Sequence, residues 1–180
     1  MIANTEVAGK TGYLCIIEND PSRIGRMTRA LESLRLSYTP IFFEDSRAAI
    51  GWLEANAPNV GIISLDYDLY RPGESMPWPG DGMDVVEWLE SSAPKDGSLP
   101  MVIVHSARCK TAQMMENRLK KAGYRTGRVV PHENTLWIED EWVHLVSTRE
   151  GKDDVPASED SELEKRIQKI GRASCRERVC

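Results

Sequence analysis

Two aspartates end a short, mostly apolar run near the middle of the chain. Residues 62–65 read IISL, and Asp66 and Asp68 follow within three positions. Such a run is typical of a strand buried on both faces, and side chains two apart on a strand point the same way. Buried carboxylates are costly unless they are paired or bind a metal ion. The pattern therefore indicates a functional acidic site, although Asp68 could instead cap a turn into the Pro/Gly-rich segment that follows.

Polar side chains also follow two other apolar runs of the chain. Glu18 and Asp20 follow the first of these runs, and His105 and Ser106 follow the second. Carboxylate oxygens suit Mg²⁺ or Mn²⁺, which keep several waters and also take phosphate oxygens from a substrate. We therefore expect a divalent metal, either Mg²⁺ or Mn²⁺, and the predicted metal ligands are Glu18, Asp20 and Asp66.

The same groups could hydrolyse a phosphodiester. The reaction needs a nucleophile, a proton for the leaving alkoxide, and positive charge against the phosphoryl oxygens. A metal-bound water would attack phosphorus, Asp68 or His105 would transfer protons, and Arg108 or the N-terminus of the next helix would hold phosphate oxygens. The predicted catalytic residues are Asp66, Asp68 and His105, and the predicted phosphate-binding residues are Ser106 and Arg108.

Each assignment has a purely structural alternative. His105 could be a core histidine bonded to a backbone carbonyl, and Arg108 could be a solvated surface side chain. Ser106 could cap a helix or a turn. Asp84, which we place near the site as a supporting residue, lies in the first turn of a helix, where the helix dipole favours a carboxylate in any case. Trp78, a second supporting residue, could lie over the site or only fill a surface groove.

The segments that carry these residues alternate between predicted strands and helices. Five strands and five helices predict an α/β fold with a doubly wound parallel sheet, and the size and right-handed crossovers favour the flavodoxin-like strand order 2-1-3-4-5. That order brings the ends of strands 1, 3 and 4 to one crevice, where such sheets bind ligands. The predicted strands cover residues 13–17, 38–43, 60–66, 99–104 and 125–130, and the helices begin at Asp20, at Asp45 or Ser46, at Asp81, near Thr111, and at Asn134 or Thr135.

Length and charge narrow the class of protein. The chain has 180 residues and a net charge of -5, which argues against a broad nucleic-acid surface. It has no apolar run near the ~20 residues that span a bilayer, and no signal-peptide pattern. We expect a cytoplasmic protein with no membrane partner, and a homo-dimer is left open. The predicted parts are a flexible N-terminus (1–11), one domain (12–148), and a charged linker, short helix and unstructured tail (149–180).

The arrangement of these residues resembles that of a response-regulator receiver domain. Receiver domains place an acidic pair after strand 1, a phosphoacceptor aspartate after strand 3, a Ser or Thr after strand 4 and a Lys-Pro pair after strand 5. The resemblance implies that Glu18 and Asp20 are the acidic pair, Asp66 the phosphoacceptor and Ser106 the hydroxyl residue. Val130 stands where the lysine is expected, so this position does not support the usual coupling of a phosphoryl group to a conformational switch.

A closer resemblance is to the divergent family of cyclic-phosphate-processing receivers. That family typically shows SLDHDL, then a Gly-x-Asp helix start, then a His-Ser-x-Asn segment followed by a helix that contains Met. The resemblance covers about residues 12–147 and implies a role in handling cyclic phosphates, in RNA end repair or nucleotide signalling. The chain has SLDYDL at 64–69, DGMDVVEWL at 81–89 and VHSAR at 104–108, with Tyr67 and Arg108 in place of the family's His and Asn, and Met114 or Met115 in the following helix.

Three functions are compatible with these residues. The first is phosphoesterase-like, metal-dependent hydrolysis of a cyclic phosphate, with a cyclic nucleotide or a cyclic-phosphate-ended RNA as substrate. The second is a phosphoacceptor signalling domain that uses Asp66. The third is a non-catalytic protein that binds or sequesters a nucleotide. Val130, His105 and the long loop with Trp78 argue against the second function, and Asp66 would repel a phosphate in the third.

Overall fold

Five parallel strands form one sheet with helices packed on both faces. The computed structural model describes residues 12–34, 36–70, 80–93, 99–132 and 136–150. A 3-10 turn (Ala57–Asn59) precedes the third strand, and a π-helical turn (Ile138–Trp142) leads into the last helix. The strands are β1 (Gly12–Ile17), β2 (Tyr38–Phe43), β3 (Val60–Leu65), β4 (Met101–His105) and β5 (Thr126–Val129), and the helices are α1 (Pro21–Glu32), α2 (Ser46–Asn56), α3 (Gly82–Ser92), α4 (Cys109–Lys121) and α5 (Val143–Glu150). The strand order is β2-β1-β3-β4-β5.

The two faces of the sheet carry two separate hydrophobic cores. Ile62 of β3 packs with the core that includes residues of α1 and α5, and its neighbour Ile63 packs with the core under α2, α3 and α4. Strands covered on both faces must be apolar on both faces, which explains the continuous runs in β3 and β4. Ser64 is the polar exception in β3, and its hydroxyl accepts a hydrogen bond from the buried indole N–H of Trp142 at 2.8 Å.

Aspartates begin the three helices that follow β1, β2 and the segment after β3. The Asp20 side chain accepts hydrogen bonds from two backbone N–H groups of α1, and that of Asp45 accepts one from α2. Asp81 and Asp84 form a reciprocal capping box at the start of α3. These carboxylates satisfy N–H groups that have no partner within the helix. The predicted helix starts at Asp20 and Asp81 are confirmed, and Asp45 rather than Ser46 is the cap of α2.

The predicted fold class and strand order are confirmed, and the strand bounds agree within two residues. One difference bears on the site, because β4 extends through His105. The last helix begins with a π-helical turn, which an apolar pattern of ordinary helical period does not reveal. Within the described ranges, no helix is both long and apolar enough to cross a membrane. Trp78, the helix starts proposed at 134 or 135, residues 1–11 and residues 151–180 lie outside the described residues, so the predicted domain boundaries stay predictions.

Candidate functional site

The end of β3 is tied to its neighbours by backbone hydrogen bonds. The Asp66 N–H donates to the Ile17 carbonyl at the end of β1 (3.0 Å), and the Gly82 N–H donates to the Tyr67 carbonyl (2.9 Å). Helix α3 approaches so closely that a Cβ on Gly82 would lie 2.2 Å from the Asp66 carbonyl oxygen. Only glycine fits this contact, and the backbone that carries the Asp66 side chain is therefore held from both sides.

The buried carboxyl groups of Glu18 and Asp66, at the ends of β1 and β3, form an ionic group, the inner trio, with the partly exposed Arg23 of α1. One guanidinium nitrogen of Arg23, Nη1, lies 3.3 Å from Glu18 Oε2 and 3.1 Å from Asp66 Oδ2. Glu18 is fully buried and Asp66 is 3% exposed. The other oxygen of each carboxylate accepts a backbone N–H, from Asp20 at 2.9 Å and from Tyr67 at 2.7 Å. All four carboxylate oxygens therefore have donors from the chain itself.

Burial shifts the acid–base behaviour of the inner trio. It raises the pKa of Asp66 to about 8, with a further rise from the Glu18 charge and an opposing effect of the Arg23 guanidinium. Burial also raises the pKa of Glu18 above its ordinary value, again against the effect of Arg23. A pKa of about 8 keeps the Asp66 carboxyl mostly protonated near neutral pH. The group can then donate a proton as well as accept hydrogen bonds.

His105 lies beside the inner trio and is fully buried. Its Nε2 atom is 3.8 Å from Glu18 Oε2, which is beyond hydrogen-bond distance. Within the described part of the chain, neither ring nitrogen has a hydrogen-bond partner. Burial, with a smaller contribution from the Arg23 charge, lowers the pKa of His105 to about 3, so the imidazole is neutral. Buried polar atoms without partners are rare in folded proteins and call for a specific explanation.

Trp137 packs against both His105 and Arg23. Its ring centroid lies 5.9 Å from that of His105, with the two planes inclined by 49°. The Arg23 guanidinium carbon lies 6.0 Å from the Trp137 centroid, which is at the outer limit of a cation–π contact. Trp137 is itself 3% exposed. It therefore forms one wall of the crevice, contributed by the segment that precedes the π-helical turn.

Asp68 and Arg108 form a second ion pair, the outer pair, at the exposed end of the site. Arg108 Nε donates to Asp68 Oδ2 at 2.7 Å, and the two side chains are 64% and 44% exposed, respectively. The Arg108 guanidinium carbon lies 5.7 Å from the Tyr67 ring centroid. The Ser106 hydroxyl accepts the Arg108 backbone N–H at 3.2 Å, as expected for the turn-capping alternative. Since the bond to Asp68 uses Nε, the guanidinium has further N–H donors that suit phosphate oxygens.

The predicted three-carboxylate metal site is not formed. The Asp20 side chain turns back to cap α1, where Oδ1 accepts the Ser22 and Arg23 backbone N–H groups at 2.8 and 3.1 Å. Arg23 Nη1 stands between Glu18 and Asp66, where an ion shared by these carboxylates would have to lie. Across the ranges that the structure describes, no group of three or more His, Cys, Asp or Glu side chains could hold a metal ion. As folded, these residues do not fit a divalent metal.

Asp84 has the local role that its helix position suggested. Its Oδ2 accepts the Asp81 backbone N–H at 2.9 Å and the Ser46 hydroxyl at 3.1 Å. The carboxylate thus joins the start of α3 to the start of α2, close to the crevice but without a contact to Asp66. These contacts are compatible with a supporting role for Asp84, in which it fixes the position of α3 beside the site.

Sequence reasoning missed two residues of the site, Arg23 and Trp137. Arg23 is the third residue of α1, which begins directly after the acidic end of β1. Side chains in the first turn of such a helix lie near the ligand-binding edge of the sheet, and this position was the available signal. Trp137 gave no comparable signal, because its position depends on the path of the chain from β5 to the π-helical turn.

A sequence model of the cyclic-phosphate processing Receiver domain matches residues 29–121, just over half of the chain. The chain belongs to this family. The match includes Asp66, Asp68, His105, Ser106 and Arg108, and the confirmed resemblance therefore covers β3, β4 and their ends. It does not include the end of β1 or the start of α1, so the inner trio as a whole is described only by the structure.

Solved structures that resemble this cyclic-phosphate processing receiver include response regulators and their receiver domains, at low sequence identity. The phosphorylated cyanobacterial phytochrome response regulator RcpA shares 16% identity, with a TM-score of 0.58 over 82% of this chain and 99% of that one. A response regulator in its Mn²⁺-bound form shares 13%, with a TM-score of 0.58 over 81% and 99%. The response regulator domain of Thermotoga maritima CheB shares 12%, with a TM-score of 0.53 over 81% and 99%. These likenesses establish the receiver fold.

A search of curated protein sequences gave no match. The family model and the solved structures establish the family and the fold of this receiver, and the geometry of the crevice is the basis for its chemistry.

Proposed function

We propose that this receiver domain hydrolyses a cyclic phosphodiester, as a cyclic nucleotide or as a cyclic phosphate at an RNA end. The observation that carries the proposal is the grouping of Asp66, Arg23 and His105 at one edge of the sheet. It combines a buried carboxyl with a raised pKa, a guanidinium 3.1 Å away, and a buried imidazole without a hydrogen-bond partner among the described residues. Cyclic-phosphate processing in the family's name supports the same substrate class.

Opening the ring requires two proton transfers and a place for negative charge. Water attacks phosphorus and gives its proton to Asp68, at the exposed end of the site. The phosphorus–oxygen bond of the ring breaks, and its oxygen takes the proton of the neutral Asp66 carboxyl. The product is a phosphate monoester. General acid–base catalysis of this kind typically contributes about 10²–10⁴-fold to the rate.

Cations and hydrogen-bond donors have the remaining roles in this proposal. Arg23 and Arg108 hold the non-bridging phosphate oxygens, since guanidinium groups present several donors in one plane. His105 donates a hydrogen bond to the same phosphate, which would give its ring a partner. An anion held next to the imidazole favours its charged form, so its pKa in the complex is higher than in the free protein.

A phosphoacceptor role for Asp66 is the second candidate, and the receiver fold of the neighbouring structures favours it. Three observations count against it. Both Asp66 oxygens already accept hydrogen bonds. A raised pKa leaves the carboxyl a poor nucleophile near neutral pH. Val130, 2% exposed, follows β5 at the position where a receiver has its lysine.

One experiment separates these functions. The protein is incubated with 2′,3′-cyclic and 3′,5′-cyclic nucleotides and with a cyclic-phosphate-ended RNA, with chelator or with Mg²⁺ or Mn²⁺, and products are followed by ³¹P NMR. We expect Asp66→Asn to lower turnover by about 10² or more and His105→Gln to lower it less. Asp45→Asn is the matched control, since Asn is an equally good helix cap and Asp45 does not contact the inner trio.

Each result assigns a function. Turnover that survives in Asp66→Asn contradicts the proposed hydrolysis. Absence of turnover together with labelling of Asp66 by acetyl phosphate supports the phosphoacceptor role. Tight binding of a cyclic nucleotide with neither turnover nor labelling supports a non-catalytic binding protein.

A further inference from the structure

Arg23 supplies a positive charge where an acidic crevice would otherwise need a bound cation. Its Nη1 lies 3.3 Å from Glu18 Oε2 and 3.1 Å from Asp66 Oδ2, and the Arg23 side chain is 29% exposed. One nitrogen therefore bridges the two buried carboxylates. An ion that coordinates both oxygens at about 2.1 Å, as Mg²⁺ does, would overlap with this nitrogen.

The second oxygen of Glu18 and of Asp66 and one oxygen of Asp20 also have donors. Glu18 Oε1 accepts the Asp20 N–H at 2.9 Å, and Asp66 Oδ1 accepts the Tyr67 N–H at 2.7 Å. Asp20 Oδ1 accepts two N–H groups at the start of α1. A divalent ion would have to displace the guanidinium and leave its charge beside the new one. Mg²⁺ also gives up its waters reluctantly, which makes its exchange for the guanidinium still less favourable.

Arg23 is held in this position by more than its charge partners. Its backbone N–H is fixed by the Asp20 cap, which places the start of its side chain. The Arg23 guanidinium carbon also lies 6.0 Å from the Trp137 ring centroid. Arg26, one turn of helix further on, instead pairs with Glu139. The two arginines of α1 thus give a matched comparison between an arginine that bridges Glu18 and Asp66 and one that does not.

We infer that Arg23 is the resident cation of the crevice and that it excludes a divalent metal ion while it remains between Glu18 and Asp66. The exclusion of a metal ion rests on the geometry alone. Its consequence rests on the proposed function, because only then does arginine, without a metal ion, stabilise the negative charge of the phosphoryl group. It assigns a role to a residue outside the matched range of the family. It also makes metal binding a property that one substitution should create.

Mn²⁺ binding tests the inference directly, measured by electron paramagnetic resonance of free Mn²⁺ and by the Mn²⁺-dependent shift in melting temperature. We expect wild type to bind Mn²⁺ weakly and Arg23→Gln to bind it at least about tenfold more tightly, because two buried carboxylates lose their partner. Arg23→Lys, which retains a charge, should stay near wild type. Arg26→Gln is the matched control and should not gain binding. Adding Asp66→Asn to Arg23→Gln should abolish the gain.

Tight Mn²⁺ binding by wild type would overturn the inference, as would an Arg23→Gln protein that folds and gains nothing. Should Arg23→Gln fold poorly, the wild-type titration and Arg23→Lys still decide, because tight binding by either one contradicts exclusion by a resident charge. The result is independent of turnover. A protein that binds Mn²⁺ tightly and also hydrolyses a cyclic phosphate would overturn this inference and leave the proposed function standing.

Discussion

Two aspartates that follow β3, Asp66 and Asp68, each pair with an arginine, but the two pairs lie in very different surroundings. The Arg23 guanidinium of the inner trio bridges Asp66 and Glu18, and Trp137 packs against it. Asp68 and Arg108 of the outer pair meet at 2.7 Å but remain 44% and 64% exposed. The shorter contact belongs to the pair in water, so distance alone does not rank the two pairs.

Burial decides what each pair can contribute. Exposed ion pairs are worth about 0–1 kcal/mol, because water and salt screen them and both side chains lose freedom. Loss of one partner from a buried pair is far more costly, since a charge is left without compensation. The inner trio therefore contributes to the stability of the fold, whereas the outer pair can open for a ligand at little cost in free energy.

Replacing each arginine in turn should give the largest difference in stability between the inner trio and the outer pair. We expect Arg23→Ala to lower the free energy of unfolding by about 2–4 kcal/mol at neutral pH, because the buried Glu18 carboxylate loses its counter-charge and the Asp66 carboxyl loses a hydrogen-bond donor. Arg108→Ala should lower it by less than about 1 kcal/mol. Urea unfolding followed by circular dichroism measures both. Equal losses in the two variants would show that burial does not distinguish the pairs.

Two glycines give a second comparison, because Gly82 packs against the Asp66 backbone with no room for a side chain, whereas Gly51 has free space around it. In Gly82→Ala the new Cβ would lie 2.2 Å from the Asp66 carbonyl oxygen and 2.9 Å from Tyr67 Cα. We expect a loss of about 1–3 kcal/mol from overpacking. The control is Gly51→Ala in α2, where nothing lies within 4 Å of the added Cβ, and where alanine should stabilise by about 0.5–1 kcal/mol. Thermal melts of both variants test the contact, and a Gly82→Ala protein as stable as wild type contradicts it.

The pH dependence of stability gives a third comparison, between Asp66 and Asp68. The pKa of Asp66 is raised to about 8 in the folded protein from an ordinary 3.8, so the folded state binds the proton more tightly. The associated stability is present below the unfolded pKa and is lost as pH rises through the folded one. Asp66→Asn has no such proton to lose. Its stability relative to wild type should increase by about 1 kcal/mol or more from pH 5 to pH 8.

Melts in the presence of a chelator measure this effect, because a bound cation would alter the titration. Asp68→Asn is the matched control and should change stability little at either pH, since that side chain is 44% exposed. A gain for Asp66→Asn that is the same at both pH values would show that the Asp66 carboxyl is ionised throughout.

The sequence was sufficient to predict which strand ends meet, and therefore that Glu18, Asp66 and His105 share one edge. That prediction depended on strand order, which follows from periodicity and handedness. It was not sufficient to decide between local and shared roles for Asp20 and Asp84. A carboxylate at a helix start caps the helix or turns into the crevice from the same position, and only the packed structure shows that both act as caps.

Arg23 could not be assigned from the sequence for a different reason. A long, flexible side chain in the first turn of a helix can reach solvent or the crevice with equal ease, and the local pattern is the same in both cases. Its position between two carboxylates follows from their burial, which is a property of the assembled sheet. Trp137 likewise depends on how the chain returns to α1 after β5.

Trp137 also determines when in synthesis the crevice is completed. The carboxylates and the imidazole come from residues 18 to 105, but the indole that packs against His105 and Arg23 follows all five strands. Domains are made from the N-terminus onward and fold as units. Until the ribosome has released the chain beyond Trp137, His105 and Arg23 lack the side chain that packs against them. The complete crevice therefore forms only when the last part of the domain has been made.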